Sequence, residues 1–148
     1  MKKLILIVII IFAAMILAEE AKTYKVIVNE SNPINSITKK ELAKIFFKKL
    51  TKWDSGSAIL LVDQDESSPV REIFCKDVLK KSVAKTKVFW QEQIFSGRGV
   101  PPIEKASDKE VIDYVKSNPG AIGYISVNAT IPSSGIKVIE VKEQIKVI

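Results

Sequence analysis

The sequence predicts an α/β domain, and three observations carry that reading. Apolar or alternating runs of strand length recur along the chain, separated by amphipathic runs of helical period. Two of the helical runs open with a capping signature, Thr38 with Glu41 and Ser107 with Glu110. The chain has 148 residues and no internal repeat, low-complexity tract or interdomain linker, which suits one domain of ordinary size. Strands alternating with helices stack in two or three layers.

TYKVIVNES (23–31) alternates Tyr24, Val26 and Val28 with polar or smaller partners and reads as a strand. In INSITKKELAKIFFKKL, Thr38 is the N-cap and Ile37 and Leu42 are spaced for a hydrophobic staple. Leu42, Ile45, Phe46 and Leu50 then make one apolar stripe. TKWDSGS is a turn whose Trp53 suits a lid on the core. AILLVD (58–63) is nearly continuous in apolar residues, as a buried strand is. A helix starting near Pro69 turns Val70, Ile73, Phe74 and Val78 inward. A second, over 84–95, offers Val88, Trp90, Ile94 and Phe95. SGRGVPP (96–102), with its glycines and prolines, is a loop. SDKEVIDYVKSNPG is a third helix with Val111 and Val115 inward, stopped at Asn118-Pro119. AIGYISV and IKVIEV are two further strands, joined by the loop NATIPSSG. Gly120 and Gly123 serve backbone geometry in this reading.

Met1-Lys2-Lys3, an uncharged apolar run from Leu4 to Ala18 and then Glu19-Glu20 have the form of a secretory signal peptide. Ala18 is the last residue removed in this reading. The competing reading is a retained membrane anchor; a spanning helix needs about 20 apolar residues, and this run is shorter. The expected division is a leader over 1–18 and a single α/β domain over 19–148, exported to a periplasmic or extracellular space. The formal net charge of +6 falls to +4 when Lys2 and Lys3 leave with the leader. That mild excess is mostly lysine on the polar sides of helices. Nucleic acid is not an expected partner, since the dense arginine stripe with interleaved aromatics is missing.

The chain has no histidine, which removes Ser-His-Asp and Cys-His catalysis and histidine-ligated zinc. Cys75 is the single cysteine, so no internal disulfide forms, and its spacing from Arg71 and Leu79 places it at the edge of a buried face. Asp63 and Asp65 invite a carboxylate-pair reading, but no nucleophile or metal set accompanies them. No catalytic activity, cofactor or metal site is expected.

DQDESSPVREIF (63–74) is the stretch that bears on function. Ser68 suits the N-cap and Pro69 the first helical position. The backbone N–H groups of a helix start lack intrahelical partners and carry partial positive charge, so the same turn suits phosphate or sulfate. Arg71 is less explained by capping. Its charge is unfavourable there by about 0.3–1 kcal/mol when exposed, and a bound anion, or pairing with Glu66 or Asp65, would offset that. Cap and anion site both stay open on the residues alone. Ser67, Ser68 and Arg71 are the candidate contacts. Arg98 is a candidate to fold toward the same site, against the plain reading of a solvated loop arginine. Ser31 is a candidate because ligands of α/β sheets lie beyond strand carboxyl ends, against a turn before Pro33.

IFFKKLTKWD (45–54) resembles the F-x-G-K-x-x-x-W-x-D phrase in substrate-binding proteins of ABC phosphate importers. VKSNPGAIGYIS (115–126) is similar to that family's V-x-x-x-P-G-A-I-G-Y-V, and Phe74 takes the place of the aromatic after its R-x-D-G-S-G-T turn. The resemblance covers about 24 to 126 and is closest to short members whose loops read like SPVREAF and FTGRGTPP. It implies a single lobe of a type 2 periplasmic-binding-protein-like fold, with a central mixed sheet flanked by helices. It also implies binding of phosphate or another small oxyanion at the helix starting near Pro69. Placing Ser68 on the family's serine puts Gln64 at the phosphate-binding arginine and Glu66 at its aspartate. Ser67 and Pro69 then replace the flanking glycines and Val70 the threonine, leaving Arg71 to supply a guanidinium from further along. A full member closes two lobes on its ligand, so a single lobe draws the other half from a second copy, as a homodimer, or from another protein. The implied partners are a small oxyanion and a membrane transporter or envelope protein. The alternative is a non-catalytic interaction or sensory domain of the cell envelope without tight ligand binding.

Overall fold

The computed structural model describes residues 23–144; the leader expected over 1–18 lies outside them. The alternating run at the start forms β1 (Tyr24–Asn29), and Ser36–Thr38 forms a short β2 that the sequence pattern does not separate from the following cap. Thr38 then caps α1 (Lys39–Phe46). Its hydroxyl accepts from the Glu41 N–H at 3.1 Å, while the Glu41 carboxylate accepts from the Thr38 N–H at 3.1 Å, so the capping box is complete. Leu42, Ile45 and Phe46 are buried. Leu50 is not part of that stripe. Lys48 takes a left-handed φ of 56°, and the Lys49 N–H returns to the Lys44 carbonyl at 2.8 Å, which closes the helix before Leu50 and leaves it 39% exposed.

The apolar run after Trp53 gives β3 (Leu60–Gln64), followed by α2 (Pro69–Phe74), which continues directly into a π-helical segment, Cys75–Leu79. Val70, Phe74 and Val78 are buried and Ile73 half-buried, as their spacing predicts. Next come α3 (Val83–Phe95), a three-residue β4 (Ile103–Lys105), α4 (Asp108–Ser117), β5 (Ala121–Ser126) and β6 (Ile136–Lys142). The expected inner face of α3 is corrected here. Only Thr86 and Trp90 are buried, whereas Val88 and Ile94 are about half exposed and Phe95 is 95% exposed. Val83, Thr86 and Trp90 form a narrow inner line at helical spacing, and Val88, Ile94 and Phe95 fall outside it.

The six strands form one mixed sheet in the order β2-β6-β1-β5-β3-β4. β1 is antiparallel to β5 and β6, while β3 runs parallel to β5 and β4, and β2 parallel to β6. One face packs Val26, Val28, Ile122 and Tyr124 against α1, α2 and the π-helical segment. The other packs Ile27, Val62 and Ile125 against Val111, Ile112 and Val115 of α4. The result is an α/β sandwich with a central mixed sheet. Trp53 is half-buried against the first core, and its indole N–H donates to the Gly120 carbonyl at 3.0 Å.

Gly123 permits the close approach of α4. A Cβ there would stand 2.6 Å from a Val62 methyl and 2.9 Å from a Val111 methyl, both on well-packed elements. Gly123→Ala is expected to lower the unfolding free energy by about 1–3 kcal/mol, the usual effect of overpacking a dense core. Urea denaturation of the wild-type and variant chains measures it.

Candidate functional site

At the carboxyl ends of β3 and β5 the protein buries a set of polar side chains. Asp63 is the first. Its position on the α2 face follows from strand alternation with Leu61, and its Oδ1 accepts from the Gln64 N–H at 2.8 Å and from the Tyr124 hydroxyl. Arg71 reaches back from the first turn of α2. Its Nη1 donates to the Gln64 carbonyl at 2.8 Å and to the Glu104 carboxylate at 2.6 Å, and Nη2 lies 3.7 Å from Asp63 Oδ2. Arg71 is 4% exposed. Its Nε–H makes no hydrogen bond among the described residues.

Burial pushes the Asp63 carboxyl above the ordinary range, against the pull of Arg71, of the Tyr124 hydroxyl and of the Gln64 N–H. Burial opposes the charge on Arg71, but Asp63 and Glu104 overcome it and hold the guanidinium cationic. Burial, reinforced by Asp63, also pushes the Tyr124 hydroxyl far up, so it serves as a donor. The Cys75 thiol is raised by burial too, in keeping with a small core residue.

Gln64 turns to the other face and is equally committed. Its amide donates to Asp108 Oδ1 at 2.9 Å and to the Tyr124 carbonyl at 3.1 Å. The Ser67 hydroxyl and N–H both donate to Asp65 Oδ1, at 2.6 and 2.8 Å, and this holds the Asp65 carboxyl low. Ser68 stands at the N-cap, where its carbonyl accepts from the Arg71 N–H at 3.1 Å, but its hydroxyl makes no capping bond. The expected hydroxyl cap is therefore replaced by backbone geometry alone. Pro69 has no N–H to offer. Arg71 pairs with Glu104 and Asp63, not with the expected Glu66 or Asp65; Glu66 instead meets Lys87 at 3.0 Å.

The five sequence candidates do not form one site. Ser67, Ser68 and Arg71 share the carboxyl end of β3. Ser31 follows β1, which is antiparallel to β5, so it lies at the opposite end of the sheet, in a cavity of about 560 Å³ with Trp53 and Gly120. Its hydroxyl and N–H donate to Asn29 Oδ1 at 2.8 and 3.0 Å in a local turn. Arg98 precedes β4, which is parallel to β3, and is exposed at that same far end beside Phe47 and Trp90. Glu104 and Tyr124 were not singled out by the sequence. A tyrosine in a buried strand needs a partner for its hydroxyl, a usable signal. Glu104 gave none, because β4 falls between the 96–102 loop and the helix from Ser107, in a stretch too short to show a period.

Among the described residues, no group of three or more His, Cys, Asp and Glu is placed to hold a metal ion. The arrangement centres on Arg71 and Asp63, both buried, and Glu104 reaches it from the surface with 44% of its side chain exposed.

A family model described as a PBP superfamily domain matches residues 24–147. Solved structures share the fold, the following two among them. An ABC-type phosphate transport receptor from Vibrio cholerae superposes with a TM-score of 0.64 at 20% identity, over 80% of this chain and 46% of that one. PstS from Borrelia burgdorferi superposes with a TM-score of 0.61 at 22% identity, over 80% of this chain and 47% of that one. The chain thus spans about half the length of either structure. Among curated proteins none matches.

Arg71→Met leaves Asp63 buried without its cation, and is expected to cost about 3–5 kcal/mol at neutral pH. The sign with pH follows from burial. A folded-state pKa raised above the unfolded value of about 3.9 means stability present below that value and lost as pH climbs through the raised one. The deficit of the variant should therefore shrink in acid, as Asp63 takes a proton, and grow above the ordinary carboxylate range. Denaturant midpoints of both proteins across pH 3 to 8 measure it; a deficit independent of pH would refute the assignment.

Proposed function

The chain belongs to the PBP superfamily domain family, and from that premise we propose that it is an exported, non-catalytic receptor-lobe domain that acts through contact with another envelope component rather than by tight capture of a free solute. One observation supports this above the rest: the guanidinium in the turn where the resemblance expects an anion is already neutralised by Glu104 and Asp63. An incoming oxyanion would have to displace Glu104 and join a second negative charge, Asp63, in a site of low dielectric. Stripping water from charges without a better partner is costly. Two further donors are committed as well, Ser67 to Asp65 and Gln64 to Asp108. Export is supported by the leader-like residues 1–18, and the component contacted would be a transporter, another envelope protein or a second copy.

A second reading, weak binding of phosphate or sulfate at Ser67, Ser68 and Arg71, is favoured by the Ser68 hydroxyl, which has no cap bond and is half-buried at the start of α2. Isothermal titration with both anions separates the two. The first reading expects no heat from wild type at millimolar anion, and weak binding only after Glu104→Ala frees Arg71. Micromolar binding by wild type, abolished in Arg71→Ala, would overturn it in favour of the second.

A further inference from the structure

The far end of the sheet carries a different electrostatic character. We propose that the face around Lys48, Lys49 and Arg98 docks the protein on a bilayer surface rich in anionic phospholipid, with Phe95 and Val100 entering the interfacial layer. The three cations line one depression of about 550 Å³, floored by Phe89 and Trp90, and no carboxylate is among its lining residues. Among the described residues none of the three makes an ion pair, whereas Lys39, Arg71, Lys76, Lys87 and Lys109 each do. They come from two segments held together. The Lys48 ammonium donates to the Pro101 carbonyl at 3.5 Å, and Phe47 packs edge-on against Phe89 at 4.9 Å.

Beside this depression the protein leaves apolar side chains in water. Phe95 is 95% exposed, Val100 63% and Ile94 53%, all within the end of α3 and the loop that carries Arg98. They stand on a helix end and a glycine-flanked loop, so they project rather than form a groove for a partner's side chain. Gly97, at φ 70°, supplies the tight reversal after Phe95. A bilayer offers this order of chemistry: phosphate charge at the surface for guanidinium and ammonium groups, and an apolar layer just beneath for aromatic and aliphatic tips. A phosphodiester headgroup suits an acid-free pocket with Arg98 at its rim. The inference uses a face remote from Arg71, so it stands or falls separately from the phosphate titration above.

Cosedimentation of the full chain with vesicles of phosphatidylcholine, alone or mixed with phosphatidylglycerol, tests it. Any membrane affinity of the apolar run at 4–18 is common to all variants, so differences between them report on the face. Wild type should prefer the anionic vesicles. Lys49→Ala/Arg98→Ala and Phe95→Ser should each bind them about tenfold or more weakly, with circular dichroism verifying the fold. Lys76→Ala/Lys109→Ala, which removes equal charge elsewhere, should bind as wild type does. The proposal is overturned if wild type shows no preference, if the face variants bind as wild type, or if the control pair loses as much. Competition by millimolar inorganic phosphate would assign the pocket to a free anion, and capture of polyglutamate without vesicle binding would assign it to an acidic protein; either result also overturns it.

Discussion

A guanidinium sealed inside a protein must be neutralised, and the carboxyl end of β3 is arranged around that requirement. Arg71 sits one turn into α2, where its charge opposes the helix dipole, and it is nearly inaccessible to water. Asp63 stands near it from the strand, and Glu104 completes it from β4. β4 is only three residues long, yet it brings Glu104 level with Asp63 in parallel register. The edge of the sheet and the start of α2 are thus fixed by one charge balance. Tyr124 adds the donor that Asp63 still lacks and stacks its ring on Phe74 with centroids 3.8 Å apart. Hydrogen bonding and core packing are joined in that single side chain.

A second polar tie secures the same helical run further along. The π-helical segment 75–79 places Asp77 where the Tyr24 hydroxyl donates to it at 2.5 Å and the Lys39 ammonium at 2.8 Å. Burial disfavours charge on Asp77, but Lys39 and Tyr24 outweigh it and hold the carboxyl low. β1, α1 and the helical run are linked there through side chains that tolerate partial exposure. With Arg71 at one end and Asp77 at the other, the 69–79 segment is held at both ends.

The fold was legible wherever local grammar and burial agree. Thr38 with Glu41 marks a helix start because both partners of the box lie within four residues. Val26, Val28 and the 58–63 run mark strands because one or both faces are covered. What the sequence hides is set by contacts between distant segments. β4 has no periodicity in three residues, so Glu104 could not be placed beside Asp63. The orientation of β1 decides which end of the sheet receives Ser31, and antiparallel pairing with β5 is not written in either strand alone. The turn at 67–69 was readable as a helix start, but whether Arg71 faces solvent or the interior depends on Glu104, which lies 33 residues away.

The two ends of the sheet therefore differ in the state of their charges. At the carboxyl end of β3, Arg71, Asp63, Gln64 and Tyr124 find most of their partners within the chain, and Glu104 closes the arrangement from the surface. At the amino end, the turn after α1 and the loop after α3 bring cations together without acids, next to apolar groups that the core does not take up. α3 explains the difference. Its residues are apolar enough to suggest a core helix, but only Thr86 and Trp90 are buried, and Val88, Ile94 and Phe95 face outward. Lys48, in the left-handed position that closes α1, ties this turn to the loop after α3 through its bond to the Pro101 carbonyl. Recognition in this molecule is favoured at the face where neither charge nor apolar surface is already answered by the protein itself.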